Sequence, residues 1–360
     1  MFGTLDVLST LDAQASSQTV AKFGEDKVYE QIARALVIHN SLLRDAVGGW
    51  ARFTTDRLVR YGGNVTGEMQ AVDEYGTPDA QKSVTGANMG YPLRQFEYGM
   101  QWTRKFFQNS KVTDLTKETN AALQAHSRRV LRELKTAIYK PTNNLTYADE
   151  LVDAVVLPLR ALLNADSTPI PINPYNGTSF TASSHTHYVF ATSLTNAVVQ
   201  SLIDLVQEHG VVGTLQLEIP SAVETAFRAL TDFTPQLQAS IILGGGSTTT
   251  ITTGNLEVIN TVNRKIGIFK SAEVWVKPYA IGTSSTYWIT VRDTGKRPLA
   301  IRHREGTSPI NLQIAYENEN FPLRARVMED EFGISAYDRE GAAVLYVDAG
   351  AAAYVAPTIT

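Results

Sequence analysis

The sequence predicts a mixed α+β protein, on three observations. Thr113 to Tyr139 runs without Gly or Pro at helical spacing. A glycine-rich stretch lies between two strand-like arms before it, and helical and strand-like patterns alternate after about residue 190. With 360 residues, 43% of them hydrophobic, the chain can bury a substantial core and divide into two or three packed units. A net charge of -4 and a pI near 5.9 argue against a non-specific polyanion binder, which needs clustered Lys and Arg to displace counterions. The absence of cysteine excludes disulfides, thiol chemistry and thiolate metal sites, and fits a reducing compartment. The start, Met1-Phe2-Gly3-Thr4-Leu5-Asp6, has no basic region followed by an apolar run, and no stretch of about 18 apolar residues occurs. The sequence therefore reads as unsecreted and not membrane-spanning.

In chain order, residues 1–24 are small and polar, with Ser16-Ser17-Gln18-Thr19 at their middle, and are expected to form an arm that orders only against a neighbour. From Glu25, the residues Val28, Ile32, Ala35, Leu36, His39 and Leu43 share a helical face that ends near Gly48-Gly49, and Glu25 and Asp26 suit its positive N-terminal end. Glycines 62, 63, 67, 76, 86, 90 and 99 then punctuate a long hairpin. Its outgoing arm, Arg52 to Tyr61, alternates poorly. Its return arm is clear: Phe96, Tyr98, Met100 and Trp102 alternate with Gln95, Glu97, Gln101 and Thr103. An isolated ribbon of two strands buries too little to be stable alone, so it lies either on its own domain or on another subunit.

The central helix opens at Val112-Thr113-Asp114, where Thr113 or Asp114 caps free N–H groups. Leu115, Ala122, Leu123, Val130, Leu131, Leu134 and Ile138 form one apolar stripe, while Arg128, Arg132 and Lys135 fall on another face. At 1.5 Å per residue such a helix reaches roughly 38 Å and can serve as a spine. Glu150 to Leu163 reads as a short apolar helix interrupted at Pro158, and Pro169 to Gly177 as a turn-rich boundary. Beyond it the sequence predicts a helix over Leu194–Glu208 stopped by Gly210, a strand at Leu215–Ile219, and a helix from Pro220-Ser221 through Leu230. A flexible loop follows at Gly244 to Thr253. Further strands are expected at Leu256–Val262, Glu273–Val276, Tyr287–Val291 and Leu299–Ile301, with extended chain from Phe321 to Val347 and a small, polar tail from Ala349 to Thr360.

Motifs that carry chemistry are mostly absent. His185-Thr186-His187 is a metal-like pair, but on a loop without a paired carboxylate motif it reads as two loop histidines. Gly244-Gly245-Gly246-Ser247 lacks the lysine and spacing of a phosphate-cradling loop. There is no G-x-S-x-G elbow and no H-E-x-x-H. Arg128, Arg132 and Lys135 can face a polyanion weakly or form a solvated helix face. The Asn-x-Thr triplets at Asn64, Asn144 and Asn176 would matter only in a secreted protein. No catalytic, metal or cofactor-binding residue is assigned.

Several phrases occur in a telling order: Phe180-Thr181-Ala182-Ser183-Ser184-His185 before Leu194-Thr195-Asn196, then Leu217-Glu218-Ile219-Pro220-Ser221, Ala272-Glu273-Val274-Trp275-Val276, and Glu331-Phe332-Gly333-Ile334-Ser335-Ala336-Tyr337-Asp338-Arg339. With the succession of arm, helix, hairpin, spine, mixed unit and late extended chain, nearly the whole sequence resembles the major capsid protein of tailed double-stranded-DNA bacteriophages, which has the Hong Kong 97-like fold. That resemblance implies an N-arm and N-terminal helix at 1–49, an extended E-loop at 50–110, and a peripheral domain at 111–190 and 321–348 that carries the spine. It further implies an axial domain at 191–320 and a C-terminal tail at 349–360.

The implied function is structural: self-assembly as hexamers and pentamers into an icosahedral shell around packaged double-stranded DNA, in a virion assembled in the host cytoplasm, without catalysis. Expected partners are other copies, a separate scaffolding protein because the arm before Glu25 is short, a portal, a decoration protein and weakly contacted DNA. Phe96, Tyr98, Met100 and Trp102 are the candidate inter-subunit contacts of the E-loop. Lys82, the lysine between Gly49 and Trp102, has no convincing crosslinking environment. Competing readings are an encapsulin-like compartment and, from another class, a hydrolase with a metal held by His185 and His187.

Overall fold

The structure, a computed structural model, describes residues 18–61, 69–80, 86–143, 147–163, 165–235, 263–318 and 323–359. The chain opens with a single helical turn α1 (Val20–Phe23) and helix α2 (Glu25–Gly48). Strands β1 (Ala51–Thr54), β2 (Leu58–Tyr61), β3 (Ala87–Gly90) and β4 (Arg94–Thr103) follow, then helices α3 (Arg104–Asn109) and α4 (Val112–Tyr139). Next come β5 (Tyr188–Ala191), α5 (Asn196–Gln207), β6 (Leu215–Ile219), α6 (Glu224–Arg228) and β7 (Phe233–Pro235). The last strands are β8 (Arg264–Phe269), β9 (Ala272–Val276), β10 (Thr286–Asp293), β11 (Leu299–His303), β12 (Gln313–Asn318), β13 (Leu323–Ala336) and β14 (Ala342–Asp348). The expected loop at Gly244 to Thr253 and strand at Leu256–Val262 lie outside the described residues, as do residues 1–17 of the arm and Lys82.

Helix α4 is the spine the sequence predicts, because its apolar residues recur on one stripe without a breaker. Leu115, Ala122, Leu123, Val130, Leu134 and Ile138 are buried, and Leu131 flanks the stripe half-exposed. Its first turn is capped from within: the Asp114 carboxylate accepts from the Lys111 N–H at 3.2 Å. Helix α2 buries Val28, Ile32, Ala35, Leu36, His39 and Leu43 as its periodicity requires.

Two sheets complete the fold. In the first, the central strand β13 carries β4 along one edge from Leu323 to Phe332, and β12 and then β11 along the other. Strand β1 adds in parallel outside β11. The second sheet has seven strands in the order β5-β14-β10-β6-β9-β8-β7. Strand β14 shows how the two units join. Ala343, Leu345 and Val347 enter one core with α5, whereas Ala342, Val344 and Tyr346 enter another with α2, α4 and the first sheet. A strand buried on both faces reads as an unbroken apolar run. A third core joins the N-terminal halves of α2 and α4 to Met100, Trp102, Leu312 and Met328. The joint between α2 and the second sheet is polar: buried Glu218 accepts from Trp50 Nε1 at 3.2 Å, Tyr279 Oη at 2.9 Å and Arg292 Nε at 3.2 Å.

Five expectations are corrected. Phe96, Tyr98, Met100 and Trp102 do share one face, but that face belongs to this chain's own core. Met100 and Trp102 are buried, Tyr98 packs beside them, and Phe96 lies 4.8 Å from the Phe332 ring. They are inward because β4 pairs with β13 over ten residues directly above α4. The outgoing arm does not pair with it: β2 pairs with β3, and β1 with β11. Glu150 to Leu163 forms turns and extended chain instead of a helix. The Asp149 carbonyl accepts successive N–H groups from Val152, Asp153 and Ala154, and Ala154 turns into the left-handed region. Residues 18–24 are not an arm awaiting a neighbour, since Val20 is fully buried and its N–H donates to the Ser110 carbonyl at 3.1 Å. Finally, β11 and β12 pair in the first sheet and β14 in the second, so the expected boundary at 320 falls inside a sheet. The polar tail is also docked, with Trp288 Nε1 donating to the Val355 carbonyl at 2.9 Å.

Gly333 sits where β13 passes under the Tyr91-Pro92 bend. A Cβ there would meet the Pro92 carbonyl oxygen at 1.9 Å, whereas one at Gly99 would meet nothing within 4 Å. Gly333→Ala is expected to destabilise the chain by about 2–5 kcal/mol and Gly99→Ala by about 0.5 kcal/mol or less, read by urea denaturation. Trp102→Ala is expected to cost about 3–5 kcal/mol in the isolated chain, because the indole is buried in the third core. An unchanged midpoint would return Trp102 to the subunit surface.

Candidate functional site

The β2–β3 hairpin pairs with no other strand among the described residues, although Tyr61, Met89 and Gly90 are buried against its own chain. Its four-residue strands pair antiparallel from Leu58↔Gly90 to Tyr61↔Ala87. Two such strands alone are too few to be stable, and the root is fixed by charge. The Asp149 carboxylate, with no exposed surface, accepts from Leu93 N–H at 2.8 Å and Arg302 Nη1 at 3.0 Å, and forms an ion pair with Arg57, whose Nε lies 2.8 Å away. A buried carboxylate is tolerated there because two guanidinium groups and a backbone donor satisfy it. Gly90 presses on the Leu157 side chain at the same root, where an added Cβ would come within 2.5 Å. Beyond the root, residues 69–80 are all exposed, and Met69, Val72 and Tyr75 stand among them; Tyr75 is 90% exposed. Three exposed apolar side chains within one short segment offer a surface that another molecule can cover.

The cations predicted on the spine do not act as one group. Arg128 and Arg132 are exposed, but Lys135 turns into a cleft of about 420 Å³ that it lines with Trp50, Lys277, Tyr279 and Arg292. Burial lowers the pKa of Lys135. Arg129, absent from the predicted set, is held by Glu133 at 2.9 Å and lies 4.2 Å above the Phe96 ring.

Five of the six histidines gather in two places. His39 Nε2 lies 2.9 Å from His126 Nδ1, and His126 Nε2 lies 2.8 Å from Asp330 Oδ2, in a buried row from α2 through α4 to β13. Burial first, and His126 second, push His39 down to about 4, against a smaller upward pull from Asp330. The second group contains His185 and His187, which the sequence places on a loop without a carboxylate. The fold brings His209 and Glu208, at the end of α5, against them, and one ligand atom from each lies within 4.8 Å of the others. These four could hold a metal ion. The sequence concealed the set because its halves are separated by α5, and because Glu208-His209 reads as the polar end of a helix.

Among the described residues no serine hydroxyl is hydrogen-bonded to a histidine, and no helix is long and apolar enough to cross a membrane.

Comparison with known structures places this architecture. Over 92% of its length and 90% of the other chain, the protein is similar to a structure from Mycobacterium phage Patience, at 18% identity and a TM-score of 0.63. A chain from the asymmetric unit of the bacteriophage PhiM1 mature capsid is similar at 9% identity, 83% and 86% coverage and a TM-score of 0.48. One from the capsid of a native GTA particle is similar at 10% identity, 85% and 89% coverage and a TM-score of 0.46. No family model matches the sequence, and no curated protein matches it. The fold is Hong Kong 97-like, as the order of the sequence phrases implied.

The His39 row gives a pH dependence with a definite sign. The unfolded imidazole titrates near 6.5 and the folded one near 4, so between these values the unfolded chain binds more protons. The contribution is complete above about pH 6.5 and is lost as pH falls toward about 4. His39→Gln is expected to flatten the fall in unfolding free energy over that window, measured by urea titration at successive pH values; an identical slope would remove His39 from the account.

Proposed function

We propose that this chain is a major capsid protein that assembles with copies of itself, as hexamers and pentamers, into an icosahedral shell around a double-stranded-DNA genome. The observation that carries the reading is the fold match to a phage structure, which spans nine-tenths of both chains with a TM-score of 0.63. The exposed segment 69–80 supports it from the side of physics. Met69, Val72 and Tyr75 gain burial only against another molecule, and a closed symmetric shell supplies every copy with the same neighbour. The mild net negative charge agrees with a container that must not hold its contents tightly. Arg128 and Arg132, exposed on the spine, are the cations left to touch DNA weakly, with Lys135 set apart in its cleft.

On this reading the inter-subunit contacts lie at the hairpin tip and not on β4. Met69→Ser with Tyr75→Ser is expected to leave the melting temperature of the unassembled chain unchanged and to reduce shell formation at least about tenfold, followed by sedimentation velocity. Full assembly by the double variant would move the contact elsewhere. A large loss of stability in the unassembled chain would mean that the tip packs on its own subunit.

A further inference from the structure

The four-residue cluster at His185 is built as a site. His187 has no exposed surface, the His209 side chain has none, and His185 and Glu208 are about one-seventh and one-third exposed. The three Nε2 atoms form a triangle: His185 to His187 3.2 Å, His185 to His209 3.0 Å, and His187 to His209 3.0 Å. Glu208 Oε1 lies 3.4 Å from His185 Nε2 and 3.8 Å from His209 Nε2.

Counting protons shows that these atoms cannot satisfy one another. His187 Nδ1 is 3.1 Å from the Ala342 carbonyl, which only accepts, so the ring's proton sits on Nδ1 and its Nε2 presents a lone pair. His209 Nδ1 is buried and has no hydrogen-bond partner. If His209 carries its proton there, a buried donor is orphaned and a second lone pair faces His187; if the proton moves to Nε2, Nδ1 is an orphaned acceptor. A neutral ring thus leaves one of its nitrogens unpaired either way, and buried polar groups without partners are costly. Glu208 Oε1 is likewise buried without a hydrogen-bond partner.

A cation takes up the facing Nε2 lone pairs and the Glu208 carboxylate oxygen at once, and fixes the His209 proton on Nδ1. Zinc bonds to imidazole nitrogen at about 2.0–2.1 Å, which sets two nitrogens of a tetrahedral ion roughly 3.3 Å apart, and a carboxylate oxygen completes the set at similar spacing. The three nitrogens match to within a few tenths of an ångström, and the Glu208 oxygen lies farther out, within 4.8 Å of all three, on a partly exposed side chain that can close on the ion. We propose that His185, His187, His209 and Glu208 bind one divalent transition-metal ion of the zinc class, which staples the irregular segment 165–187 to the end of α5. The role is structural. Four protein ligands leave no open position for water, and the Phe180 ring covers the cluster, 4.6 Å from His185 and 4.3 Å from His209. Segment 165–187 has no helix or strand of its own, and its near end is already tied by Asp166 to buried Arg339 at 3.0 Å. The ion supplies the matching tie at its far end, and Gly210, with φ +80°, turns the chain out of α5 so that His209 points back into the site.

The test is titration of the untagged, metal-stripped full chain with Co²⁺, followed by Zn²⁺. The expected result is about one Co²⁺ per chain with the intense visible absorption of a tetrahedral N/O site, bleached by Zn²⁺, and a rise in melting temperature of about 5 °C at saturation. Glu208→Gln, partly exposed and conservative in shape, is expected to weaken Zn²⁺ about tenfold or more, and His185→Gln to abolish the tetrahedral spectrum while far-ultraviolet circular dichroism stays native. A wild-type chain that takes up no Co²⁺, or takes it up with an octahedral spectrum, overturns the proposal without recourse to any variant. Undiminished binding by folded His185→Gln overturns it too.

Discussion

The structure depends on the pairing of one strand. β13, fourteen residues from Leu323 to Ala336, is hydrogen-bonded along one edge to β4 and along the other to β12 and β11, and lies against the spine helix. Each of the other elements of the first unit is placed by it. Phe332 fills the core beneath, Asp330 receives His126 from the spine, and Gly333 gives room for the Pro92 carbonyl. Because side chains alternate across a strand, a slip of one residue would send Met328 and Phe332 to the wrong face and strand Asp330. The β4–β13 register is held by these burials and not by a connecting turn, since the two strands are far apart in sequence.

The second unit is joined to the first through β10 and β14, whose two faces feed two cores. Such a layer couples the units rigidly, and the network of Glu218 with Trp50, Tyr279 and Arg292 adds a polar tie whose removal would leave a buried charge alone. The hairpin is different. Its root is locked by Asp149 between Arg57 and Arg302, while its described tip touches solvent.

Much of this was legible in the sequence. The spine, α2, β6 and β9 follow from period alone, because each has one buried face and few breakers. The return arm's inward face was also legible, but not what it faces: Phe96, Tyr98, Met100 and Trp102 give the same alternation whether the cover is α4 or another subunit. Glu150 to Leu163 misled because its apolar residues serve extended chain, with Leu157, Leu159, Leu162 and Leu163 buried singly around Pro158. Strand β14 gave no alternation because both of its faces are buried. The histidine site was half visible as His185-Thr186-His187; the other half comes from Glu208-His209, which only the packing of α5 beside β5 and β14 brings near.

The account's central claim is that this fold, with its hairpin completed by a neighbour, builds a closed container. The most direct measurement is electron microscopy of the chain overexpressed alone and together with its neighbouring genes. Closed shells of uniform diameter, holding nucleic acid in the second preparation, are the expected result. Dispersed single subunits in both preparations would contradict the claim, and uniform shells filled with an enzyme would keep the container but replace the genome as its cargo.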